Sequence, residues 1–236
     1  MMVAIGNFLF RYRNMLFPPA YALLLLPGPG LFDSPLLAAA VGALVAVAGQ
    51  LVRAVTIGLR YIKRGGRGRR VYADDLVTEG VYCLCRNPMY VGNMLLVAGL
   101  GIASNSLVTL MCALPLVVFA YAAIVAAEEQ YLRTRFGASF DEYCRDVPRW
   151  LPDIAAVRKA IAGHTFHWRR VIVKEYGTPF GWVNVLCVVV LYNLWKHDLL
   201  RLHGTAEQGL VAVMSLVTML WLTAWFLKKT RRLVAD

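Results

Sequence analysis

The chain alternates long apolar runs with short charged ones, and this limits its possible folds more than any other feature. The runs fall at about residues 15–31, 36–62, 88–103, 107–127, 180–195 and 209–227. About 20 apolar residues in helical form cross a hydrocarbon core of roughly 30 Å. Lipid offers the backbone no hydrogen-bond partners, so a spanning segment must pair its own N–H and C=O groups, as a helix does. Composition agrees: 59% of residues are hydrophobic and 17% charged, too apolar for an ordinary soluble domain. The expected fold is all-α, a polytopic membrane helix bundle with about six transmembrane helices.

Charge sets the expected orientation. Twenty-five Lys and Arg against 14 Asp and Glu leave a formal net charge of +11. The basic clusters, at 63–70 and at Lys228, Lys229, Arg231 and Arg232, lie beside apolar runs. Lys and Arg mark the cytosolic side of a membrane protein, so nucleic acid is not expected as a partner. The turns at 32–35 and 104–106 carry neither residue and suit the outside. Both termini then lie in the cytosol, with Lys196 and Arg201 as weak exceptions outside. The five cysteines (Cys83, Cys85, Cys112, Cys144, Cys187) show no Cys-x-x-Cys or Cys/His ligand spacing, so neither a disulfide framework nor a zinc site is expected. His164 and His167 are three apart, but no Cys or carboxylate joins them at ligand spacing, and no metal is expected. The first apolar run lacks a small-x-small cleavage site and does not read as a cleavable leader.

Taken in order, residues 1–14 read as a short cytosolic lead and 15–31 as a first span, with Pro18-Pro19 near its start. The second span, 36–62, begins with Ala, Val, Leu and Gly, suited to close helix packing. Gln50, Arg53 and Arg60 interrupt its second half. Such charges either face a polar cavity or snorkel to the cytosolic surface. Pro115 is expected to kink the fourth span. That span runs out into Glu128-Glu129, about 100° apart around a helix, so one can face a pocket while the other meets water or pairs with Arg133 at i+4. Residues 138–152 read as an amphipathic helix on the cytosolic surface, ended by Pro148, and 153–179 as a basic cytosolic connector. The expected organisation is a lead and first span (1–35), a core (36–152), and a connector with two C-terminal spans (153–236).

Residues 74–92 sit between two apolar runs yet hold Tyr82, Arg86, Asn87 and Tyr90 close together. Pro88 disfavours a helical Asn87 and itself opens a helix well. A cytosolic loop therefore ends at Arg86-Asn87 and a span starts at Pro88. Two readings of the polar side chains at this mouth stand side by side. They form an interfacial Tyr/Arg anchor, or they bind a polar cofactor.

Five blocks occur in one order: Leu76-Val77-Thr78-x-Gly80-x-Tyr82, Arg86-Asn87-Pro88-x-Tyr90-x-Gly92, Glu128-Glu129-x-x-Leu132, Phe136-Gly137-x-x-Phe140-x-x-Tyr143 and Val147-Pro148-Arg149-x-x-Pro152. Together they resemble the isoprenylcysteine carboxyl methyltransferases, a family related to the phospholipid methyltransferases and to bacterial membrane methyltransferases. The resemblance covers about residues 36–152. It implies S-adenosylmethionine as methyl donor, S-adenosylhomocysteine as product, and a cofactor pocket at the cytosolic mouth of the helices. Carried over by position, Asp75, Leu76 and Val77 line the pocket and Tyr82 contacts the cofactor. Asn87, Pro88, Met89 and Tyr90 form the next wall, and Glu128 binds a polar part of the nucleoside or amino acid. The acceptor implied is lipidic or small and apolar, reached from membrane lipid, and the implied setting is a bacterial inner membrane. Two positions depart from the eukaryotic pattern. Asn87 stands where His is common. Ile124, four residues before Glu128, stands where the prenylcysteine enzymes carry an Arg tied to substrate.

Methyl transfer from a sulfonium is an in-line displacement, so the site mainly aligns donor and acceptor and excludes water. A carboxylate acceptor needs no base. An amine or thiol acceptor would use one, and Glu129 is the candidate. Arg86 is the candidate anchor for an anionic substrate or the cofactor carboxylate, or it snorkels to the surface. Two other classes compete: a non-catalytic scaffold or transporter, and a membrane reductase with a nicotinamide cofactor. No Gly-x-Gly-x-x-Gly follows a strand pattern, and a transporter would place polar groups at mid-membrane.

Overall fold

The computed structural model describes residues 1–60, 72–199 and 204–233. The basic loop at 63–70, the end of the predicted second span and part of the 196–208 loop lie outside the described residues. Among the described residues every regular element is helical. The α-helices are α1 Met2–Ala20, α2 Pro35–Leu59, α3 Pro88–Ala103, α4 Leu107–Phe136, α5 Ala138–Asp146, α6 Val157–Ile161, α7 Trp168–Glu175, α8 Gly177–Lys196 and α9 Gly204–Lys229. The chain is a polytopic membrane helix bundle.

Among the described residues four helices are long and apolar enough to cross a membrane: α2, α4, α8 and, from Thr205, α9. Helix α3 is equally apolar but has 16 residues, about 24 Å of rise, short of a full crossing. The first span is misplaced in the sequence reading. There is no lead followed by a span at 15–31. One helix starts at Met2 and tightens after Ala20 into the 3-10 turn Tyr21–Leu25. Pro18-Pro19 stands at its end because each proline removes an amide donor and stops the α-helical ladder. Arg11 and Arg13 lie within this helix. It packs along α4, with Gly6 against the backbone of Ala123 and Thr109 Oγ1 donating to the Leu23 carbonyl at 3.0 Å.

Local sequence sets the helix starts. Ser34 caps α2 through Leu37 N–H and Pro35 follows at its first position. Ser106 caps α4 through Thr109 N–H, and Pro88 opens α3. Side-chain caps of this kind satisfy amide groups that have no partner within the helix. Helix α4 continues through Pro115.

Glycines hold α2 and α3 together as an antiparallel pair. Gly42 faces Gly99 and Ala103, and Gly49 faces Gly92 and Leu96. These pairs repeat every seven residues, which keeps them on one seam as two backbones approach closely. Trp182 and Val189 of α8 pack on Ala46, Leu96, Leu100 and Leu24. On the other side Phe10, Tyr90, Val117, Tyr121, Ile124 and Val125 join α1, α3 and α4. Helix α9 leans on α8 through Trp221, stacked 4.8 Å from Phe180.

At the end away from the motif residues, Asn105 ties two turns together. It adopts φ +48°, a region that Asn tolerates better than most residues. Its Oδ1 accepts from Leu31 and Phe32 N–H, each at 3.0 Å, and its Nδ2 donates to the Phe32 carbonyl at 3.0 Å. Asn105→Ala removes all three bonds from a buried site and is expected to cost about 2 kcal/mol, seen as a lower thermal midpoint in detergent.

Candidate functional site

The motif blocks meet where α2 ends, α3 begins and α4 ends. The segment before α3 runs against the one after α5. Arg86 N–H donates to the Pro148 carbonyl at 2.9 Å, and Asp153 N–H to the Leu84 carbonyl at 2.9 Å. Asn87 Nδ2 donates to the Arg149 carbonyl at 3.2 Å. Tyr143 OH donates to the Tyr82 carbonyl at 2.7 Å, and Leu76 packs on the Phe140, Tyr143 and Val147 cluster. These bonds hold an irregular stretch in one conformation, since a buried backbone group left unpaired is costly.

The adjacent glutamates diverge as their helical offset requires. Glu128 accepts from Tyr90 OH at 2.7 Å in a buried bond. Glu129 faces α5 instead. Its oxygens accept from Arg149 Nε at 3.0 Å and Nη2 at 2.6 Å, and Arg86 Nη2 lies 3.4 Å away. Arg133 turns to Asp141 at 2.7 Å, so the helical pair with Glu129 does not form. Arg86 also donates to the Cys144 carbonyl at 3.1 Å. Nearby, burial pushes the Cys83 and Cys144 thiols above their usual pKa, against the opposing pull of Lys159 and Arg86 respectively.

A cavity of about 340 Å³ opens at this end. Arg13 and Asn14 of α1, Arg53, Thr56, Ile57 and Arg60 of α2, and Tyr82 line it. Met89, Tyr90 and Asn93 of α3, Tyr121 of α4, and Lys174 and Glu175 of α7 complete the wall. A second cavity of about 240 Å³ shares Arg53, Asn93 and Tyr121 with it. A third, of about 130 Å³, shares Tyr21, Val97, Leu100 and Tyr121 with the second. The walls change along this path from charged groups to Leu23, Leu24, Leu116 and Val117.

Of the residues singled out in the sequence, Tyr82, Met89 and Tyr90 line the first cavity, and Glu128 stands behind Tyr90. Asn87 and Pro88 are buried at the seam with Arg149. Asp75 is exposed and Val77 half-buried in the preceding loop. Glu129 and Arg86 sit at the seam with α5 and do not line the cavity.

The two arginines of α2 part ways. Arg60 is about half exposed near Glu79, at 3.8 Å. Arg53 faces inward. Its Nε donates to Glu175 Oε1 at 2.5 Å and its Nη2 to Oε2 at 2.9 Å. It also donates to Asn93 and Thr178. Gln50 donates to Glu175 at 3.1 Å and accepts from Trp182 Nε1 at 3.0 Å. The network satisfies a charge pair that would otherwise be expensive at this depth.

Sequence reasoning missed Arg13, Asn93, Tyr121, Lys174 and Glu175. Some signals were there. Asn93 follows Tyr90 by three and Tyr121 precedes Glu128 by seven, spacings that share a helix face. Glu175 is the sole acid between 154 and 179 and complements the lone charge of Arg53.

Residues 37–139 match the family model for phospholipid methyltransferase. The chain is 40% identical over 86 residues to the cobalt-zinc-cadmium resistance protein CzcN of Cupriavidus metallidurans, covering 36% of this chain and 39% of that protein. It is 33% identical over 108 residues to the nickel-cobalt-cadmium resistance protein NccN of Alcaligenes xylosoxydans xylosoxydans, covering 45% and 49%. It is 36% identical over 78 residues to the protein-S-isoprenylcysteine O-methyltransferase of Schizosaccharomyces pombe, covering 33% of each. The chain spans less than half the length of the curated relatives it matches. No solved structure matches it. The matched segment holds Arg53, Tyr82 and Tyr90 of the first cavity's wall, with Asn87 and Glu128 behind it, whereas Arg13, Lys174 and Glu175 line that cavity from outside the segment.

Proposed function

We propose, from the match of residues 37–139 to the family model for phospholipid methyltransferase, an integral membrane methyltransferase that uses S-adenosylmethionine. Its acceptor is lipidic or small and apolar. The observation that carries this reading is the convergence of Tyr82, Met89, Tyr90 and the Tyr90–Glu128 pair on a polar cavity that continues into apolar space. A soluble donor and a membrane-borne acceptor need such a junction.

The residues suit the cofactor. A cavity of about 340 Å³ falls within the range of roughly 300–1,000 Å³ usual for small-molecule sites. Tyr82 and Tyr90 offer aromatic surface, Met89 a soft thioether, and Glu128 a carboxylate for a hydroxyl or amino group. Asn87 and Pro88 hold the start of α3 so that Met89 and Tyr90 face inward, and Asp75, Leu76 and Val77 form the outer approach. When bound, S-adenosylmethionine supplies an electrophilic methyl group on its sulfonium.

Glu129 is held by two guanidinium groups at the seam with α5, away from the cavity wall. We therefore place Glu129 and Arg86 as positioning residues that fix Arg149 and the approach to α3 against α4. An acceptor already carrying a nucleophilic oxygen anion needs no base from this site. Tyr121, where all three cavities meet, separates the polar end from the apolar end and limits water entry.

Isothermal titration of the detergent-purified protein with S-adenosylhomocysteine tests this. Micromolar binding is expected in the wild type. Glu128→Ala should weaken it about tenfold or more, the cost of losing a charge-assisted hydrogen bond. No binding by folded wild type would sink the cofactor assignment, and binding of a nicotinamide cofactor instead would favour a reductase.

A further inference from the structure

We propose that the exposed edge of α6 and α7 is a lipid-surface site, where Ile161, Trp168 and Ile172 enter the bilayer and Arg158, Lys159 and Arg169 take anionic headgroups. Ile161, Trp168 and Ile172 are 57%, 69% and 46% exposed, and the three basic residues are exposed beside them. Depth selects the occupant. Helix α7 starts against the end of α2. There His167 N–H donates to the Gly58 carbonyl at 2.9 Å, and a Cβ on Gly58 would lie 2.3 Å from the Phe166 ring. Trp168 packs on Phe166 with ring centres 4.4 Å apart. The same helix finishes at α8, with Tyr176 alone between them. Both α2 and α8 are long and apolar enough to cross the membrane. A helix strung from the end of one span to the start of the next lies across the membrane surface. Helix α6 is held at the same level, packed on residues 80–83 just before α3.

Charge selects the lipid. Between 154 and 179 the chain holds five Lys and Arg (158, 159, 169, 170 and 174) against one acid, Glu175, and Glu175 is taken by Arg53. Basic residues interleaved with exposed apolar ones are the pattern of helices that lie in the interface plane. Trp favours that depth, and long basic side chains lay their stems on apolar surface and hold their charge at the headgroups. Each such charge attracts anionic lipid. None of the six residues lines the three cavities. The site is therefore separate from the path assigned to cofactor and acceptor, and it stands whether or not the methyltransferase reading does.

The test uses the full chain in phosphatidylcholine nanodiscs and reads the tryptophan emission that is lost in Trp168→Phe. Phosphatidylcholine brominated near the headgroup end of its acyl chains should quench that emission strongly. Acrylamide, a neutral quencher confined to water, should quench it less than it quenches free tryptophan. Brominated phosphatidylglycerol at a low fraction should quench it about fivefold more effectively than brominated phosphatidylcholine at the same fraction, the scale of one basic residue beside an anionic surface. High salt should remove that advantage. The combined change Arg158→Gln, Lys159→Gln and Arg169→Gln should bring the two lipids level while the thermal midpoint stays that of the wild type. Full access to acrylamide without quenching by brominated lipid overturns the proposal. So does equal quenching of the wild type by the two brominated lipids, or a triple variant that keeps the preference. Shielding of Trp168 from both quenchers also overturns it, and would mean that protein, such as a second copy of the chain, covers this edge.

Discussion

Glu175→Ala is expected to destabilise the folded protein by about 3–5 kcal/mol, because it leaves a buried guanidinium without its counter-charge. The side chains of Arg53 and Glu175 are 12% and 4% exposed. Arg53 sits in the second half of α2 and Glu175 ends α7, so the pair fastens the C-terminal helices to the core. Removing either partner should also loosen Gln50 and Trp182, which share the network. The readout is the thermal midpoint in detergent. The double change Arg53→Met with Glu175→Leu should recover most of the loss, since an apolar pair of similar volume often does as well as a buried ion pair. A single variant as stable as wild type would show that the pair does not fasten the helices. A double variant no better than either single would show that the polar network around it carries the stability.

Gly99→Leu is expected to be the next most damaging change. A Cβ at Gly99 already lies 2.5 Å from the Gly42 carbonyl oxygen and 2.6 Å from the Ala46 nitrogen. Backbone is in the way, so no side chain can swing aside and the two helices must separate. Overpacking commonly costs about 1–3 kcal/mol and occasionally more, and a leucine on this seam belongs at the upper end. Because α2 and α3 form facing walls of the first cavity, separation should also weaken S-adenosylhomocysteine binding. Gly181→Ala is the control. A Cβ there meets nothing within 4 Å, so the change should be neutral or stabilise by up to about 1 kcal/mol through helix propensity. Equal effects at the two positions would show that close approach is not what the Gly99 seam requires.

Several features could be read from short stretches of chain. Apolar runs of helical length located α2, α3, α4, α8 and α9, and Pro88 marked the start of α3. The offset between Glu128 and Glu129 foretold that they would face different ways, because a helix turns by a constant angle per residue. The ordered blocks from Leu76 to Leu132 fall inside residues 37–139, the segment that matches the phospholipid methyltransferase model, while Tyr143 and the block from Val147 to Pro152 lie beyond it. The N-terminus was misread for a physical reason. Arg11 and Arg13 look like a boundary to any test of local polarity, yet a helix accepts a charge wherever a cavity receives it, and Arg13 has one.

By itself, then, the sequence determined most of the helical, apolar segments and, in large part, where the segment that matches the phospholipid methyltransferase model lies. Backbone hydrogen bonding, helical period and capping act over a few residues, so these features are decided locally. Only the tertiary structure decided that Arg53 pairs with a residue 122 positions away, that Glu129 is taken by Arg149, and that Arg13 turns toward the cavity. An ion pair or a cavity wall depends on which helices lie side by side. That is settled by glycine seams and buried networks acting across the whole bundle, and no short stretch of chain contains it.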